Sequence, residues 1–357
     1  MNKNKTVRWG IAGLGSIAQR FAFDLKNNVN NVNNVNNVNN VNNVNNVNNV
    51  NNVNNAELYA VASRSQERAD KFANEFDCQT AYGDYKSLAE NPHVDVVYVA
   101  TIHPCHKELV ALFLAHNKHV FVEKPAFTNV KDWDEMLNLA KSKNLLLIEA
   151  MKSVTFPAYR ELLKFIKSHN LAITCIEASF GTKNKFNNTN RLFDPKHCGG
   201  ATLDVGVYPL WLYVDICRQL NIPVQKPSVN ITQDNTMSAV DEMVSFVFNT
   251  KVQGNLSASI TRNLPTKAVL SGPNVEIIIH EKWWNPQIIE ITHHGAKQKI
   301  EIDSTGESFE FEIEHISTLI LTNKLESDVI PHANSRAVIE IMEQALIANG
   351  YQHLVTI

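Results

Sequence analysis

Cysteine is scarce and scattered. The five thiols (Cys78, Cys105, Cys175, Cys198 and Cys217) are odd in number and never form a CxxC pair. A disulfide scaffold and a zinc site are both poor descriptions, so a reducing cytoplasm is the expected setting. No ligand cluster calls for another metal, so none is expected. No apolar run approaches the ~18–20 residues of a membrane span. The polar stretch Met1–Lys5 leads straight into a strand-like segment, with no apolar core of a secretion signal. Charge of one sign is also missing: 33 Lys and Arg face 36 Asp and Glu, for a net charge of −3. A nucleic-acid surface needs clustered basic residues, so that class is disfavoured.

The chain has 357 residues, enough for two domains. Residues 27–53 are nine copies of Asn-Asn-Val, followed by Asn54 and Asn55. A three-residue period suits neither regular element. On a helix the valines spiral around the axis, and on a strand they alternate faces. Asparagine also has poor helix and strand propensity. The tract is expected to be an exposed loop between the first helix and the second strand, away from the strand ends that bind ligands. Deleting residues 27–53 is expected to leave activity largely intact.

Outside this tract the first part alternates strands and helices. Thr6–Ala12, Glu57–Ser63, Asp95–Thr101, His119–Glu123 and Leu145–Glu149 read as strands. Ser16–Lys26, Gln66–Phe76, Cys105–His116 and Asn129–Lys143 read as helices. In Gln66–Phe76, Ala69, Phe72, Ala73 and Phe76 fall on one face. Val96–Ala100 is continuously apolar, as in a strand covered on both sides. This alternation predicts an α/β fold with a parallel, doubly wound sheet. After Glu149 the pattern changes. A helix at Pro157–Ser168 and a strand at Ala172–Phe180 precede a run of strands: 239–249, 253–261, 267–271, 275–280, 287–292 and 297–302. Helices at 309–323 and 335–349 follow. A second, mainly antiparallel sheet is expected, with the domain boundary near residue 150: 1–150 for the dinucleotide and 151–357 for substrate and self-association.

Gly13-Leu14-Gly15-Ser16-Ile17-Ala18 is GxGxxA between the first strand and the first helix. Gly13 permits the tight turn, Gly15 lets backbone approach a pyrophosphate, and Ala18 allows close helix–strand packing. The helix start at Ser16 and Ile17 offers unpaired N–H groups to the anion. The ribose-reading residue belongs about 20 residues on, at the end of the second strand. Arg64 follows Gly15 by 49 residues, or by 20 once the 29 residues 27–55 are set aside. An acidic residue there would repel a 2′-phosphate. Instead the stretch Ser63-Arg64-Ser65-Gln66-Glu67-Arg68 offers two guanidinium groups, which favours NADP over NAD. NAD stays open, because NAD binders with a neutral second strand also exist.

Two further segments fall at strand ends: Thr101-Ile102-His103-Pro104-Cys105-His106 and Glu123-Lys124-Pro125. With GxGxxA and the later Gly199-Gly200-Ala201-Thr202-Leu203-Asp204-Val205-Gly206-Val207-Tyr208, they come in the order and approximate spacing of one family. The sequence resembles the glucose–fructose oxidoreductase/inositol dehydrogenase/MocA family, nearest to its dimeric dihydrodiol dehydrogenase and NADP-dependent xylose dehydrogenase branch. Residues 326–332 share in the resemblance, and only 27–55 stand outside it.

The resemblance implies an N-terminal Rossmann domain and a C-terminal α/β domain whose open antiparallel sheet serves as an oligomer interface, giving a homodimer or homotetramer. It implies hydride transfer between nicotinamide and a carbinol or carbonyl carbon of a sugar, cyclic polyol or trans-dihydrodiol. Tyr208 then acts as acid/base. A free phenol, with a pKa of about 10, is a poor base at neutral pH. The Lys124 ammonium favours the phenolate, and Asp204, four residues before Tyr208, supports the lysine or a substrate hydroxyl. Thr101, His103, His106, Glu123, Lys124 and Pro125 are expected on the nicotinamide side, with helix capping the alternative role for His106. In dihydrodiol-oxidising relatives an aromatic commonly follows the segment matching Glu149-Ala150-Met151. Here Lys152 stands there, which favours a hydroxylated or anionic substrate. Arg191 is either a second substrate contact or an exposed loop arginine. The competing function is a non-catalytic dinucleotide or sugar sensor.

Overall fold

The computed structural model describes residues 6–27, 55–187, 189–235, 237–302 and 307–356. Residues 28–54 of the Asn-Asn-Val tract, and the leading Met1–Lys5, lie outside the described residues. The described chain forms two compact units. The first comprises residues 6–126, 131–155 and 307–332; the second comprises 127–130, 156–302 and 333–356.

In the first unit, β1 (Val7–Ala12), β2 (Ala56–Ala62), β3 (Thr80–Tyr82), β4 (Val96–Val99), β5 (His119–Glu123) and β6 (Leu147–Ala150) form one parallel sheet in the order β3-β2-β1-β4-β5-β6. Ile11 of β1 is in register with Val61 of β2 on one side and Tyr98 of β4 on the other. The strand order therefore reverses at β1/β4, and a doubly wound sheet binds its ligand at the carboxyl ends flanking such a point. Every residue of β4 and β6 is buried, which is why β4 runs apolar without alternation; β6 is apolar except for Glu149.

Five helices connect these strands or follow them: α1 (Ser16–Asn27), α2 (Gln66–Phe76), α3 (Tyr85–Glu90), α4 (His106–Ala115) and α5 (Val130–Ser142). The Ser65 side chain caps α2 by accepting from the Arg68 N–H. Its predicted stripe of Ala69, Phe72, Ala73 and Phe76 is buried. Strand β3 and helix α3, with three and six residues, were too short to show a period in the sequence.

The second unit holds α6 (Pro157–Ser168), α7 (Val207–Gln219) and the eight strands β7 (Cys175–Gly181), β8 (Ser228–Thr232), β9 (Met243–Phe248), β10 (Gln253–Ser259), β11 (Ala268–Gly272), β12 (Val275–Ile279), β13 (Ile288–His293) and β14 (Ala296–Glu301). The sheet order is β14-β13-β12-β11-β7-β10-β9-β8. Only β7 and β10 run parallel; the other neighbours are antiparallel. Helix α7 was not foreseen because ten of its thirteen residues are buried. A helix covered on all sides has no polar face to mark its period.

Helices α8 (Glu310–Leu321) and α9 (His332–Ala348) close the chain. An expected single cut near residue 150 places 307–332 with the second part, but packing places it with the first. The Trp9 indole donates to Ser317 Oγ at 3.0 Å, and Asn55 donates to the Glu314 carbonyl at 3.1 Å. An apolar helix face alone does not tell which sheet it covers. Among the described residues, no helix is long and apolar enough to cross a membrane, and no group of three or more His, Cys, Asp and Glu is placed to hold a metal ion.

Candidate active site

The GxGxxA loop sits between the carboxyl end of β1 and the start of α1. Gly13 has φ +93°, and a Cβ there would stand 2.7 Å from Thr101 Cγ2 and 2.9 Å from the Ala100 carbonyl oxygen. Only glycine fits this turn. Gly15 is the opposite case, because a Cβ built on it meets nothing within 4 Å. Its backbone faces open space beside the helix N-terminus, a cradle suited to a phosphate approaching closely. Ala18 is fully buried, as tight helix–strand packing requires. Ser16 is exposed and Ile17 half-buried.

At the end of β2, Ser63 is buried and Arg64 is exposed. The Arg64 charge is felt at the Tyr85 hydroxyl and the Cys105 thiol, where it opposes the upward push of burial. Arg68 does not stand free as its sequence position suggested. Its Nη2 donates to the Leu14 carbonyl oxygen at 2.7 Å, so it braces the glycine loop.

The turn after β5 is pinned from several sides. Tyr98 donates its hydroxyl to Glu123 Oε1, and the Lys124 N–H donates to Glu123 Oε2 at 3.2 Å. The Lys124–Pro125 peptide is cis. The Ala126 N–H donates to Glu149 Oε1 at 3.0 Å. His106 Nδ1 lies 3.0 Å from the Ala126 carbonyl oxygen and Nε2 lies 3.1 Å from that of Thr101. His106 is wholly buried, and burial pushes its pKa below the ordinary value. The sequence placed it on the nicotinamide side. Both ring nitrogens instead face backbone carbonyls, and the one that carries the proton donates, so it is a brace. His103 remains half-buried, its ring edge-on to His106 at 5.6 Å. Thr101 Oγ1 is buried and has no hydrogen-bond partner among the described residues.

Lys152 also differs from expectation. Its Nζ lies 4.4 Å from the Phe309 ring centroid and donates to the Glu307 carbonyl at 3.4 Å. It is occupied inside the first unit, so it is not an open wall for substrate.

In the second unit Asp204 lies in a π-helical turn, Thr202–Gly206, directly before α7. The spacing from Asp204 to Tyr208 is thus set by a widened turn; the sequence had assumed a regular α-helix. Asp204 Oδ1 accepts from Arg191 Nη1 at 3.2 Å, so these two predicted residues do meet. The turn is anchored by Asp241, which lies outside every sequence motif. Asp241 Oδ2 accepts from the Thr202 N–H at 2.6 Å and from Thr202 Oγ1 at 2.7 Å. Burial raises its carboxyl pKa to about 6. Tyr208 is half-buried, with its ring 5.3 Å from Phe180, which stacks on Trp284 at 3.7 Å. The adjacent Trp283 and Trp284 are the sequence feature that marks this aromatic group. Glu149 had no signal beyond its place at a strand end.

Residues 7–151 match the family model described as an oxidoreductase family with an NAD-binding Rossmann fold. The trans-1,2-dihydrobenzene-1,2-diol dehydrogenase of Xenopus tropicalis is 30% identical over 81% of this chain and 89% of its own length. The chain belongs to the Gfo/Idh/MocA oxidoreductase family. The Homo sapiens enzyme of the same name is 29% identical over 96% of this chain and 97% of its own. Two solved structures share the fold. A 3-ketoreductase from Actinomadura kijaniata, in complex with NADP and TDP-benzene, superposes with TM-score 0.76 at 18% identity, covering 96% of this chain and 98% of its own. A UDP-N-acetylglucosamine 3-dehydrogenase from Acidithiobacillus ferrooxidans gives 0.72 at 17%, covering 98% and 100%. This member of the family is an NAD(P)-dependent oxidoreductase, with the expected parallel Rossmann sheet and a second, mainly antiparallel one.

Proposed function

We propose that this protein is an NADP-preferring dehydrogenase or reductase that interconverts a secondary alcohol and a ketone on a six-membered ring bearing adjacent hydroxyls. Sugars, cyclic polyols and trans-dihydrodiols all meet that description. The observation that carries the reading is the open Gly15 cradle on the same sheet edge as the Lys124 turn. Bound nicotinamide supplies the hydride acceptor or donor. Gly13, Gly15 and the start of α1 hold the pyrophosphate, and Arg64 takes the 2′-phosphate. Tyr208 takes the hydroxyl proton as hydride leaves the carbinol carbon. Lys124 supplies the positive charge that makes a phenolate attainable near neutral pH. Asp204, held by Arg191, supports the substrate hydroxyls.

The relatives' names and the Phe180–Trp284 stack beside Tyr208 both support a substrate with an apolar ring face. They restore the dihydrodiol that Lys152 had argued against. The open face of the eight-stranded sheet, with Val247 36% exposed, supports self-association as a homodimer or homotetramer. Light scattering of wild type and Val247→Lys tests this. Five scattered cysteines without a CxxC spacing support a cytoplasmic setting.

The test is absorbance of reduced nicotinamide with a panel of aldoses, inositols and trans-dihydrodiols. Turnover that disappears in Tyr208→Phe and Lys124→Met, with cofactor binding retained, is the expected result. Cofactor binding without turnover on any member of the panel overturns the enzymatic assignment in favour of a sensor.

A further inference from the structure

The first unit buries a carboxylate that the proposed chemistry does not use. Glu312, in α8, has no solvent exposure, and neither of its carboxylate oxygens has a hydrogen-bond partner among the described residues. Glu123 is close enough to act on it electrostatically, as are Lys152, Asp24 and its helix neighbour Glu310. The cations nearby are committed elsewhere. Lys152 Nζ sits over the Phe309 ring and bonds the Glu307 carbonyl. Arg20 Nε pairs with Glu307 Oε2 at 2.6 Å. Asp24 spends its oxygens on the Glu307 and Phe309 N–H groups, at 2.9 and 2.7 Å. Glu123, by contrast, receives the Tyr98 hydroxyl on one oxygen and the Lys124 N–H on the other.

We propose that Glu312 and Glu123 share one proton, which Glu312 carries in the resting protein, and that Glu312 is a positioning residue for the Lys124 turn, acting through Glu123. An ionised carboxylate without partners is far too costly to bury. A second negative charge beside a buried carboxylate adds repulsion. Glu123 has two donors and the Lys124 charge to stabilise its anion; Glu312 has no donor among the described residues and only the Lys152 charge, whose Nζ spends its hydrogen bond on the Glu307 carbonyl. The proton therefore settles on Glu312. Burial and the Glu123 charge both push the Glu312 carboxyl well above the usual range, with Lys152 opposing. Were Glu312 to ionise, repulsion would press Glu123 away from Tyr98 and the Lys124 N–H, and the turn would lose its anchor.

The link to turnover rests on the function proposed above; the shared proton does not. The experiment begins with infrared spectra of the cofactor-free, full-length protein in H2O and D2O. At pH 7 surface carboxyls are ionised, so a carboxylic-acid carbonyl band that shifts on deuteration is expected from wild type. It should be lost in Glu312→Gln. The turnover profile comes next. Glu312→Gln should keep kcat at pH 7 within about twofold, while the decline of wild-type kcat at alkaline pH disappears. No band in wild type, a band that survives in Glu312→Gln, or identical alkaline limbs overturns the proposal. If Glu312→Gln does not fold, Asp241→Asn is the second variant: a pH 7 band that persists in it upholds the proposal, and a band lost with Asp241 overturns it. A clear band in a protein without turnover upholds the shared proton and sinks the oxidoreductase assignment instead.

Discussion

His106 Nδ1 lies 3.0 Å from the Ala126 carbonyl oxygen, so the first residue of α4 is fastened to the turn that carries Lys124. Glu149 holds the N–H of the same alanine at 3.0 Å. The turn is thus clamped from a helix on one side and from β6 on the other. A neutral imidazole donates to only one of its two carbonyls, and burial disfavours the charged ring that would satisfy both. His106→Ala removes the clamp and leaves one buried carbonyl without its donor, at a cost of about 1–3 kcal/mol. Urea unfolding at pH 7 should show that loss, with turnover falling alongside. The pH dependence has a definite sign. A depressed histidine pKa contributes stability that is present above the ordinary value of about 6.5 and lost as pH falls below it. The difference between wild type and His106→Ala should therefore narrow on acidification; a constant difference would remove the buried-imidazole account.

Arg64 and Arg68 look equivalent in the sequence and both are exposed, but the Arg68 guanidinium is tied to the Leu14 carbonyl of the glycine loop. A charged hydrogen bond is worth about 1.5–3 kcal/mol. Arg64→Ala is expected to lower kcat/KM for NADP by about 10- to 150-fold and to leave NAD nearly unchanged. Arg68→Ala loosens the Leu14 carbonyl and should weaken both cofactors alike. Kd values for the four cofactor–variant pairs check this, and a loss confined to NADP in Arg68→Ala would reassign the phosphate.

The parallel sheet was legible because its strands are buried on both faces and its helices on one, and each condition leaves a distinct period. The glycine loop was legible because backbone geometry fixes residue type there. Helix α7 was not, since uniform burial erases periodicity. The placement of α8 was not either, because nothing local says which sheet an apolar helix covers. Among site residues, the tight turn at Gly13 and the open backbone at Gly15 were legible from type and spacing, whereas Arg191 and Asp204 carried no sign in the sequence that they pair. Arg68, His106 and Lys152 were assigned to ligands because their charge or ring nitrogens are visible in sequence, whereas the Leu14, Ala126 and Glu307 carbonyls that occupy them are not. Asp241 and Glu312 lie outside every motif; their roles come from burial alone.

Arg191 and Asp204 make a contact in which the guanidinium is 59% exposed and the carboxylate 13%. Such a pair adds little to stability, typically under 1 kcal/mol. If its purpose is to orient Asp204 toward substrate hydroxyls, Arg191→Met should leave Tm nearly unchanged while raising the substrate KM several-fold. Thermal unfolding and steady-state kinetics on the same preparation separate the two effects. A fall in Tm with unchanged KM would make the pair structural.

Asp241 titrates in the opposite sense to His106. Its carboxyl caps the π turn that leads to Tyr208, and burial raises its pKa to about 6 from an ordinary value near 3.9. A raised carboxylate pKa contributes stability that is fully present below about 3.9 and lost as pH rises through about 6. At roughly 1.4 kcal/mol per pKa unit, the wild type forgoes on the order of 3 kcal/mol at pH 7 relative to a protonated cap. Asp241→Asn keeps an acceptor for Thr202 without a charge to bury. Subtracting the two proteins cancels His106 and every other common group. The stability of Asp241→Asn relative to wild type should therefore rise between pH 4.5 and pH 7. A flat difference across that range would mean the Asp241 carboxylate is ionised without penalty, and the turn before Tyr208 is held by something other than a strained cap.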